Sequence, residues 1–314
     1  MIDPHTRPPA WTPASMEDRV VRYGNLRPCM NAFIDTRSPG SEAKENFTII
    51  GPGVSENPEQ FVHIAEPHGF NVGGARQPPG CVNSQHSHNT AEVFVVHTGE
   101  WRFDLGERGD DAQVHIGPGG VISIPTKTFR GFTNVGTEAG FLFAVLGHDD
   151  PGRVLWAPEV FDMAQEHGLV LLETGQLIDT IAGQTVPADA RPMPVTSQEQ
   201  IAALTRVTQQ EAERFVWRND TPVGTQLTPI IGAAGPLDCG NGFDLHRIDI
   251  AAGETMEPRA PAAPEVVFVH SGRLDVCWPD GAIRLEPGDT MTVPIGLDRR
   301  FSSDAGCVAY IVRR

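Results

Sequence analysis

The stretch from Gly80 to Gly99 reads GCVNSQHSHNTAEVFVVHTG, and the rest of the chain is best understood from it. Successive side chains of an extended strand point to opposite faces, so His86, His88 and Glu92 would share one face. Two imidazoles and a carboxylate on one face predict a divalent-metal site that leaves coordination positions open. The glycines at both ends suit the tight turns that would bracket this segment.

The spacing of this stretch resembles the first motif of the cupin superfamily, G-x5-H-x-H-x3-E-x6-G, with every defining position filled. Two nearby histidines alone are weak evidence, but the spaced glutamate, the two glycines and the apolar run after them make the signal specific. The resemblance implies a small antiparallel β-barrel, the double-stranded β-helix or jelly roll, with the metal inside it.

A second segment, GGVISIPTKTFRGFTN from Gly119 to Asn134, resembles the second cupin motif, G-x5-P-x-G-x2-H-x3-N. It departs from that motif at two positions. Lys127 stands where glycine is usual, and Arg130 stands where the family usually carries its last metal-binding histidine. Because a guanidinium is always charged and has no lone pair to donate, Arg130 cannot be a ligand. The metal ligands expected here are therefore His86, His88 and Glu92.

Both motifs recur in altered form near the end of the chain. The segment EVVFVHSG from Glu265 to Gly272 overlays EVFVVHTG, and the segment from Gly288 to Arg299 overlays the second motif. An internal repeat of this kind predicts two barrels of one fold, a bicupin. In the second copy Arg259 and Pro261 occupy the histidine positions, and Glu265 alone of the four ligand positions keeps its residue type. We expect this second barrel to bind no metal.

The fold class expected is all-β, with two cupin barrels joined by a partly helical linker. The domain limits are an N-terminal arm at 1–74, a metal-binding barrel at 75–155, a linker at 156–218 and a degenerate barrel at 219–314. In the linker, Glu159–His167 followed by Gly168 predicts a short helix with a glycine C-cap. Thr196–Phe215 predicts a longer helix that opens with a capping box of Thr196 and Glu199.

Composition and charge limit the possible partners. The 314 residues include 33 glycines and 27 prolines, which suits many short strands joined by turns. A net charge of −16 argues against nucleic acid or an anionic membrane as a partner. A small anionic substrate stays compatible with that charge, because a local arginine can override the global field.

Cysteine usage and the first residues bear on the cellular compartment. The five cysteines are odd in number and lack C-x-x-C spacing, which argues against a disulfide framework and a thiolate zinc site: Cys29, Cys81, Cys239, Cys277 and Cys307. The N-terminal sequence MIDPHTRPPAWTP has no apolar core of a signal peptide. These features predict a cytoplasmic protein.

Arg130 has two interpretations. Its predicted strand position points it into the barrel, where its fork would bind a substrate carboxylate or phenolate beside the metal as a catalytic and substrate-binding residue. Alternatively, it forms a salt bridge to Glu92 that neutralises an abandoned site, and Arg299 in the metal-free barrel favours that alternative. Further candidates for a substrate pocket are Phe94, Phe103, Phe132 and Asn134, although ordinary core packing also accounts for phenylalanines in a barrel.

Two neutral imidazoles and one carboxylate form the ligand set of non-haem Fe(II) oxygenases, and the same set accepts Mn, Ni, Co or Zn. The leading hypothesis is therefore a bicupin dioxygenase with one divalent metal, Fe(2+), acting on a small hydroxylated aromatic or other anionic substrate. In architecture the chain resembles the ring-cleaving bicupin dioxygenases of the gentisate and salicylate types.

Two other functions compete with the oxygenase. The first is a non-oxidative isomerase, lyase or decarboxylase, in which the metal stabilises an enolate and no dioxygen is consumed. The second is a non-catalytic bicupin that binds a small molecule. By analogy with other bicupins, we also expect assembly into a homo-oligomer.

Overall fold

The computed structural model describes residues 11–219, 226–237 and 240–314. Contacts between residues divide the chain into two compact units. The N-terminal unit comprises Leu26–Thr221 and Ile230–Phe243, and the C-terminal unit comprises the described residues up to Asn25, Pro222–Pro229 and Asp244–Arg314. These limits differ from the sequence-based domain limits, because part of the expected arm lies in each unit and the expected linker lies in the N-terminal unit.

Elements are numbered along the whole chain, and the N-terminal unit contains strands β2 to β15. Their bounds are β2 Glu45–Ile50, β3 Val62–Ile64, β4 Phe70–Gln77, β5 Val82–Ser87, β6 Glu92–Thr98, β7 Trp101–Leu105, β8 Ala112–Ile116, β9 Val121–Ile124, β10 Arg130–Asn134, β11 Gly140–Gly147, β12 Leu155–Trp156, β13 Leu169–Leu171, β14 Leu177–Asp179 and β15 Val216–Trp217. A seven-stranded sheet has the order β15-β9-β6-β11-β4-β2-β3, and a five-stranded sheet has the order β12-β5-β10-β7-β8. Strands β13 and β14 form a separate pair.

The apolar core of the N-terminal unit is built from inward-facing residues of both sheets. Strands β6, β7 and β10 alternate in the manner expected of a jelly roll, and their core members include Phe94, Val96, Trp101, Phe103 and Phe132. Burial extends along both faces of β6 and β11, which the neighbouring strands and loops cover. The all-β fold expected from the sequence is confirmed.

The C-terminal unit repeats this arrangement with fewer strands. Its elements are α1 Pro13–Glu17, β1 Val20–Val21, β16 Gln226–Ile231, β17 Asp244–Ile250, β18 Glu265–Gly272, β19 Leu274–Trp278, β20 Gly281–Leu285, β21 Thr290–Val293, β22 Arg300–Ser302 and β23 Cys307–Arg313. The larger sheet has the order β1-β21-β18-β23-β17-β16, and the smaller one β20-β19-β22. The core between them includes Val267, Met291 and Phe301.

The linker helices follow the sequence prediction in one case and depart from it in the other. Helix α2, Pro158–Glu166, lies where a helix was expected, and Gly168 after it has the positive φ of 75° that favours glycine. The single helix expected over Thr196–Phe215 is wrong. Two short helices take its place, α3 Gln198–Ala202 and α4 Gln209–Ala212, followed by a 3-10 turn.

The reason for this difference lies at the start of the segment. The hydroxyl of Thr196 donates to the carbonyl of Trp156 at 2.6 Å and is not free to cap a helix. Ser197 caps α3 instead, in a capping box with Gln200.

The structure describes most, but not all, of the residues that bear on disulfide bonds and on membrane spans. The four cysteines that the structure describes, Cys29, Cys81, Cys277 and Cys307, are free thiols, while Cys239 and the first ten residues lie outside the described residues. In the described part of the chain no helix has the length and apolar character needed to cross a bilayer.

Candidate metal centre

The three expected ligands come together at the adjoining ends of β5 and β6. Ligand atoms of His86, His88 and Glu92 all lie within 4.8 Å of one another. Their exposed fractions are only 4%, 3% and 5%, and the two imidazole centroids are 5.0 Å apart. Within the described residues this is the one group of three or more histidine, cysteine or acidic side chains close enough to share an ion.

A hydrogen bond to the backbone fixes the imidazole of His86, whereas the Nδ1 of His88 has no such bond in the described part of the chain. The Nδ1 of His86 hydrogen-bonds the carbonyl of Ser84 at 2.7 Å, and as a donor there it leaves the Nε2 lone pair for a metal. The buried Nδ1 of His88 has no hydrogen-bond partner among the described residues. A buried polar atom without a partner is costly. The other ring nitrogen of His88, Nε2, lies 3.6 Å from Oε2 of Glu92 and is the one placed to share an ion with it.

The electrostatics of the cluster keep both imidazoles neutral. Burial lowers the pKa of His86 and of His88 well below the usual value, and the charge of Arg130 lowers both further. Burial also raises the pKa of Glu92, while Arg130 opposes that shift. Neutral imidazole is the form that binds a metal ion, so the donor set fits a divalent metal.

Arg130 forms the salt bridge to Glu92 that the sequence offered as one alternative. Its Nε and Nη2 donate to the same oxygen, Oε2 of Glu92, at 3.1 and 2.6 Å, and its Nη1 donates to the carbonyl of Thr128 at 3.2 Å. The side chain is completely buried and is not among the residues that line the adjoining cavity. Each guanidinium nitrogen thus makes a hydrogen bond within the protein, as the salt-bridge interpretation predicts, and a role of Arg130 in binding a substrate anion stays a prediction.

Beside the three ligands lies a cavity of about 80 Å³, room for a few waters or a small organic group. Its walls combine small aliphatic and polar residues with five aromatic side chains, Phe33, Phe47, Phe94, Phe132 and Trp156. The ring of Trp156 lies 5.3 Å from that of His86, centroid to centroid. Asn46 supplies a polar group, since its Nδ2 is buried and has no hydrogen-bond partner among the described residues.

Two of the predicted substrate contacts lie elsewhere. Phe103 is absent from the cavity wall and packs in the core against Phe94 and Phe132. Asn134 holds a turn, because its Nδ2 donates to the carbonyls of Gln77 and Glu138 at 2.9 and 2.8 Å. In this structure Phe103 therefore packs in the core and Asn134 stabilises a turn, and neither lines the cavity.

The sequence did not predict the ion pair of Asp35 and Lys44, which holds the backbone of Ser84, the residue that binds His86. The amide of Ser84 donates to Oδ2 of Asp35 at 2.9 Å, and Asp35 pairs with Lys44, whose Nζ also donates to Asn83 at 3.0 Å. Asp35 and Lys44 are both completely buried. They lie in the segment that was interpreted as an arm, and no motif in the sequence links them to the histidines.

The N-terminal unit matches a known family, and the whole chain matches known structures. Residues 75–146 match the family model described as "Cupin domain". No match was found among curated protein sequences. Oxalate decarboxylase from Lactobacillus farciminis is 12% identical, with a TM-score of 0.56 over 93% of this chain and 85% of that one. Vicilin from Corylus avellana is 14% identical, with a TM-score of 0.54 over 94% of this chain and 84% of that one.

A salicylate 1,2-dioxygenase from Pseudoaminobacter salicylatoxidans is also similar, at 12% identity and a TM-score of 0.47 over 78% of this chain and 70% of that one. That likeness is too weak to bear on function. Residues 75–146 match the cupin domain model, and the chain has the bicupin fold. At these identities the likeness establishes the fold alone, since a decarboxylase and a vicilin match equally well.

Proposed function

We propose that this chain is a metal-dependent bicupin enzyme whose N-terminal unit holds one divalent metal at His86, His88 and Glu92. The observation that carries the proposal is the burial of these three side chains together at the wall of an aromatic cavity. A ligand set of two histidines and one carboxylate leaves positions for substrate and dioxygen and suits Fe(II) best among the common metals. The favoured reaction is dioxygenation of a small hydroxylated aromatic compound.

The chain's own groups have separate roles in this proposal. The bound metal would supply Lewis acidity and the open positions for substrate oxygens. Arg130 holds Glu92 in place, and the carbonyl of Ser84 fixes the tautomer of His86. Phe94, Phe132 and the other aromatic side chains of the wall keep water out. Asn46 is the group placed to donate a hydrogen bond to a substrate oxygen.

The charges around the cavity indicate where an anionic substrate group would bind. Among the described residues, the two completely buried cations are Arg130 and Lys44, and they are already paired with Glu92 and Asp35. Neither offers a free guanidinium or ammonium to the cavity wall. A phenolate or carboxylate of the substrate would therefore bind at the open positions of the metal.

A second candidate function has an observation of its own. Arg299 pairs with Glu265 in the C-terminal unit as Arg130 pairs with Glu92, although no histidine stands beside Glu265 in the sequence motif. An arginine at this position thus does not depend on a metal. This repetition favours a non-catalytic bicupin that binds a small molecule in its aromatic cavity.

Metal analysis separates these possibilities. Wild-type protein, His86→Ala and the control His115→Ala, which removes an exposed histidine of β8, are purified and reconstituted with Fe(II) under anaerobic conditions. We expect about one iron per chain in the wild type and the control, its loss in His86→Ala, and dioxygen uptake with salicylate or gentisate. Stoichiometric Mn, Ni or Zn as purified, with turnover in the absence of dioxygen, would instead support a non-oxidative enzyme. Absence of metal after reconstitution would leave the small-molecule-binding bicupin.

A further inference from the structure

The C-terminal unit gathers arginines at the positions that correspond to the metal centre. By the internal repeat, Glu265 corresponds to Glu92, Arg299 to Arg130 and Arg259 to His86. Arg313, near the end of β23, lies opposite Glu265 in the register of β18 and β23. Two of these arginines, Arg299 and Arg313, bind Glu265, and Arg259 stands at the position that corresponds to a histidine; we call Arg259, Arg299 and Arg313 the arginine cluster.

Glu265 accepts hydrogen bonds from two members of the cluster, Arg299 and Arg313. The carboxylate is completely buried. Its Oε1 accepts from Nε of Arg299 at 3.0 Å and also from Nη2, and its Oε2 accepts from Nε of Arg313 at 2.7 Å. Both carboxylate oxygens thus accept from Arg299 or Arg313, and the remaining N–H groups of these two arginines have no hydrogen bond to Glu265.

The third arginine has no acid of its own. Arg259 and Arg299 exchange backbone hydrogen bonds of 2.8 and 3.2 Å across an isolated antiparallel bridge. Residues paired in this way have their side chains on the same side of the ladder. Arg259 is exposed, and its guanidinium has no hydrogen bond or ion pair to the described residues. The same holds for Nη1 of Arg299 and for both Nη atoms of Arg313.

The charges nearest the cluster have both signs. Glu265 is bound by Arg299 and Arg313, the exposed Asp244 on β17 acts on the neighbouring His246, and the exposed Asp298 precedes Arg299. In the described part of the chain no hydrogen bond or ion pair joins Asp244 or Asp298 to a member of the cluster. Burial lowers the pKa of Arg299, Glu265 opposes the shift, and the charges of Arg313 and Arg259 lower it further. Burial and then Arg313 lower the pKa of His246, so this neighbour adds no positive charge.

We propose that the arginine cluster binds a small oxyanion, a carboxylate or a phosphate. Crowded guanidinium groups repel one another, and an anion that accepts from the free N–H groups removes that repulsion. The planar fork of arginine matches the spacing of carboxylate and phosphate oxygens and gives short charge-assisted hydrogen bonds. Arg259 is the accessible member through which the anion enters. The degenerate metal position of the C-terminal unit is thus an anion site, and its occupancy does not depend on the metal proposed for the N-terminal unit.

Titration calorimetry on the full chain tests this proposal. The His86→Ala background is used so that an anion bound to metal does not contribute heat. Inorganic phosphate and acetate are titrated separately at low and at high sodium chloride, with Arg259→Met as the test variant. Arg300→Met is the matched control, because it removes the same charge from an exposed arginine at the start of β22 that is not a member of the cluster.

We expect one site per chain for phosphate or acetate and weaker binding at high salt, because salt screens the attraction. Arg259→Met is expected to weaken binding about tenfold or more, whereas Arg300→Met leaves it unchanged. The anion that binds more tightly distinguishes a phosphate site from a carboxylate site. Equal loss in both variants, unsaturable binding, or no heat with either anion at millimolar concentration overturns the proposal. Because Arg259 is exposed, its variant is expected to fold, and thermal unfolding without anion verifies that.

Discussion

The two units place the same pair of residues, a buried glutamate and an arginine, at matching positions, yet they surround the pair differently. In the N-terminal unit both donors of Arg130 bind Oε2 of Glu92, and Oε1 accepts no hydrogen bond from the described residues. In the C-terminal unit Arg313 occupies the second oxygen of Glu265. A carboxylate oxygen therefore remains for a metal in one unit and not in the other, and the arginine alone does not decide whether the site works.

The largest expected effect concerns metal affinity. Replacing His86 by alanine removes one of three ligands and should weaken divalent-metal binding more than about 100-fold, since loss of an outer-shell partner alone costs 10- to 100-fold. Arg259→Ala, the corresponding change in the C-terminal unit, should leave metal affinity unchanged. Competition with a chromogenic chelator measures both dissociation constants. Equal metal affinity in wild type and His86→Ala would place the metal elsewhere.

The next effect concerns stability and separates the two salt bridges. Arg130→Met leaves the buried carboxylate of Glu92 unpaired and should lower the free energy of unfolding of metal-free protein by about 3–5 kcal/mol. Arg299→Met should cost less, because Arg313 still pairs with Glu265. Added metal should restore stability to Arg130→Met and not to Arg299→Met. Urea unfolding with and without metal measures the difference, and equal losses without metal rescue would contradict it.

A smaller effect depends on pH and belongs to the N-terminal unit. The Nε1 of Trp156 donates to the buried carboxylate of Glu56 at 2.6 Å, whereas Nε1 of Trp278 in the C-terminal unit donates to the carbonyl of Trp11, which does not titrate. Burial raises the pKa of Glu56 to about 8, above its value in an unfolded chain. The folded state then holds this proton more tightly, so the contribution to stability is present at low pH and is lost as pH rises through about 8.

Glu56→Gln should therefore flatten the fall in the free energy of unfolding between roughly pH 4.5 and pH 8, by a few kcal/mol at about 1.4 kcal/mol per pKa unit. Urea titrations at several pH values, taken as wild type minus variant, isolate this group from the histidines. Trp278→Phe serves as the control from the other unit and should not alter the pH dependence. A difference between wild type and Glu56→Gln that is independent of pH would show that Glu56 remains ionised throughout.

The smallest effect concerns the turn that Asn134 stabilises. Asn134 and its counterpart Ser303 both donate hydrogen bonds to backbone carbonyls. Asn134 donates to Gln77, and Ser303 donates to Arg273 at 2.7 Å. Asn134→Ala should cost about 1–2 kcal/mol and Ser303→Ala about 1 kcal/mol. Metal content and small-molecule binding should be unaffected in both. A selective loss of ligand binding in Asn134→Ala, without loss of stability, would restore its predicted role in the cavity.

Much of the fold and of the candidate metal centre could be predicted, because the spacing of residues within short motifs indicates both. Alternation along an extended segment places His86 and His88 on a common face. The repeat of EVFVVHTG as EVVFVHSG predicts a second domain of the same fold. Contacts between distant segments leave no such pattern. The support of Ser84 by Asp35 and Lys44 joins residues about 40 to 50 positions apart, and the competition of Trp156 for the Thr196 hydroxyl depends on packing. Phe94 and Phe103 are indistinguishable in sequence, although the first lines the cavity and the second does not.

The pairing of β1 with β21 has a consequence for synthesis of the chain. Val20 pairs with Met291, and Val21 with Thr290. A strand near the beginning of the chain can therefore pair only after residues near the end of the chain have been synthesised. The C-terminal unit is made of discontinuous segments, and its sheet cannot close until nearly all of the chain has left the ribosome. The N-terminal unit takes strands β2 to β15 from one continuous stretch and adds Ile230–Phe243, so it can fold earlier. A nascent chain stalled after Phe243 would thus carry the folded candidate metal centre while Val20 and Val21 still lack their partners.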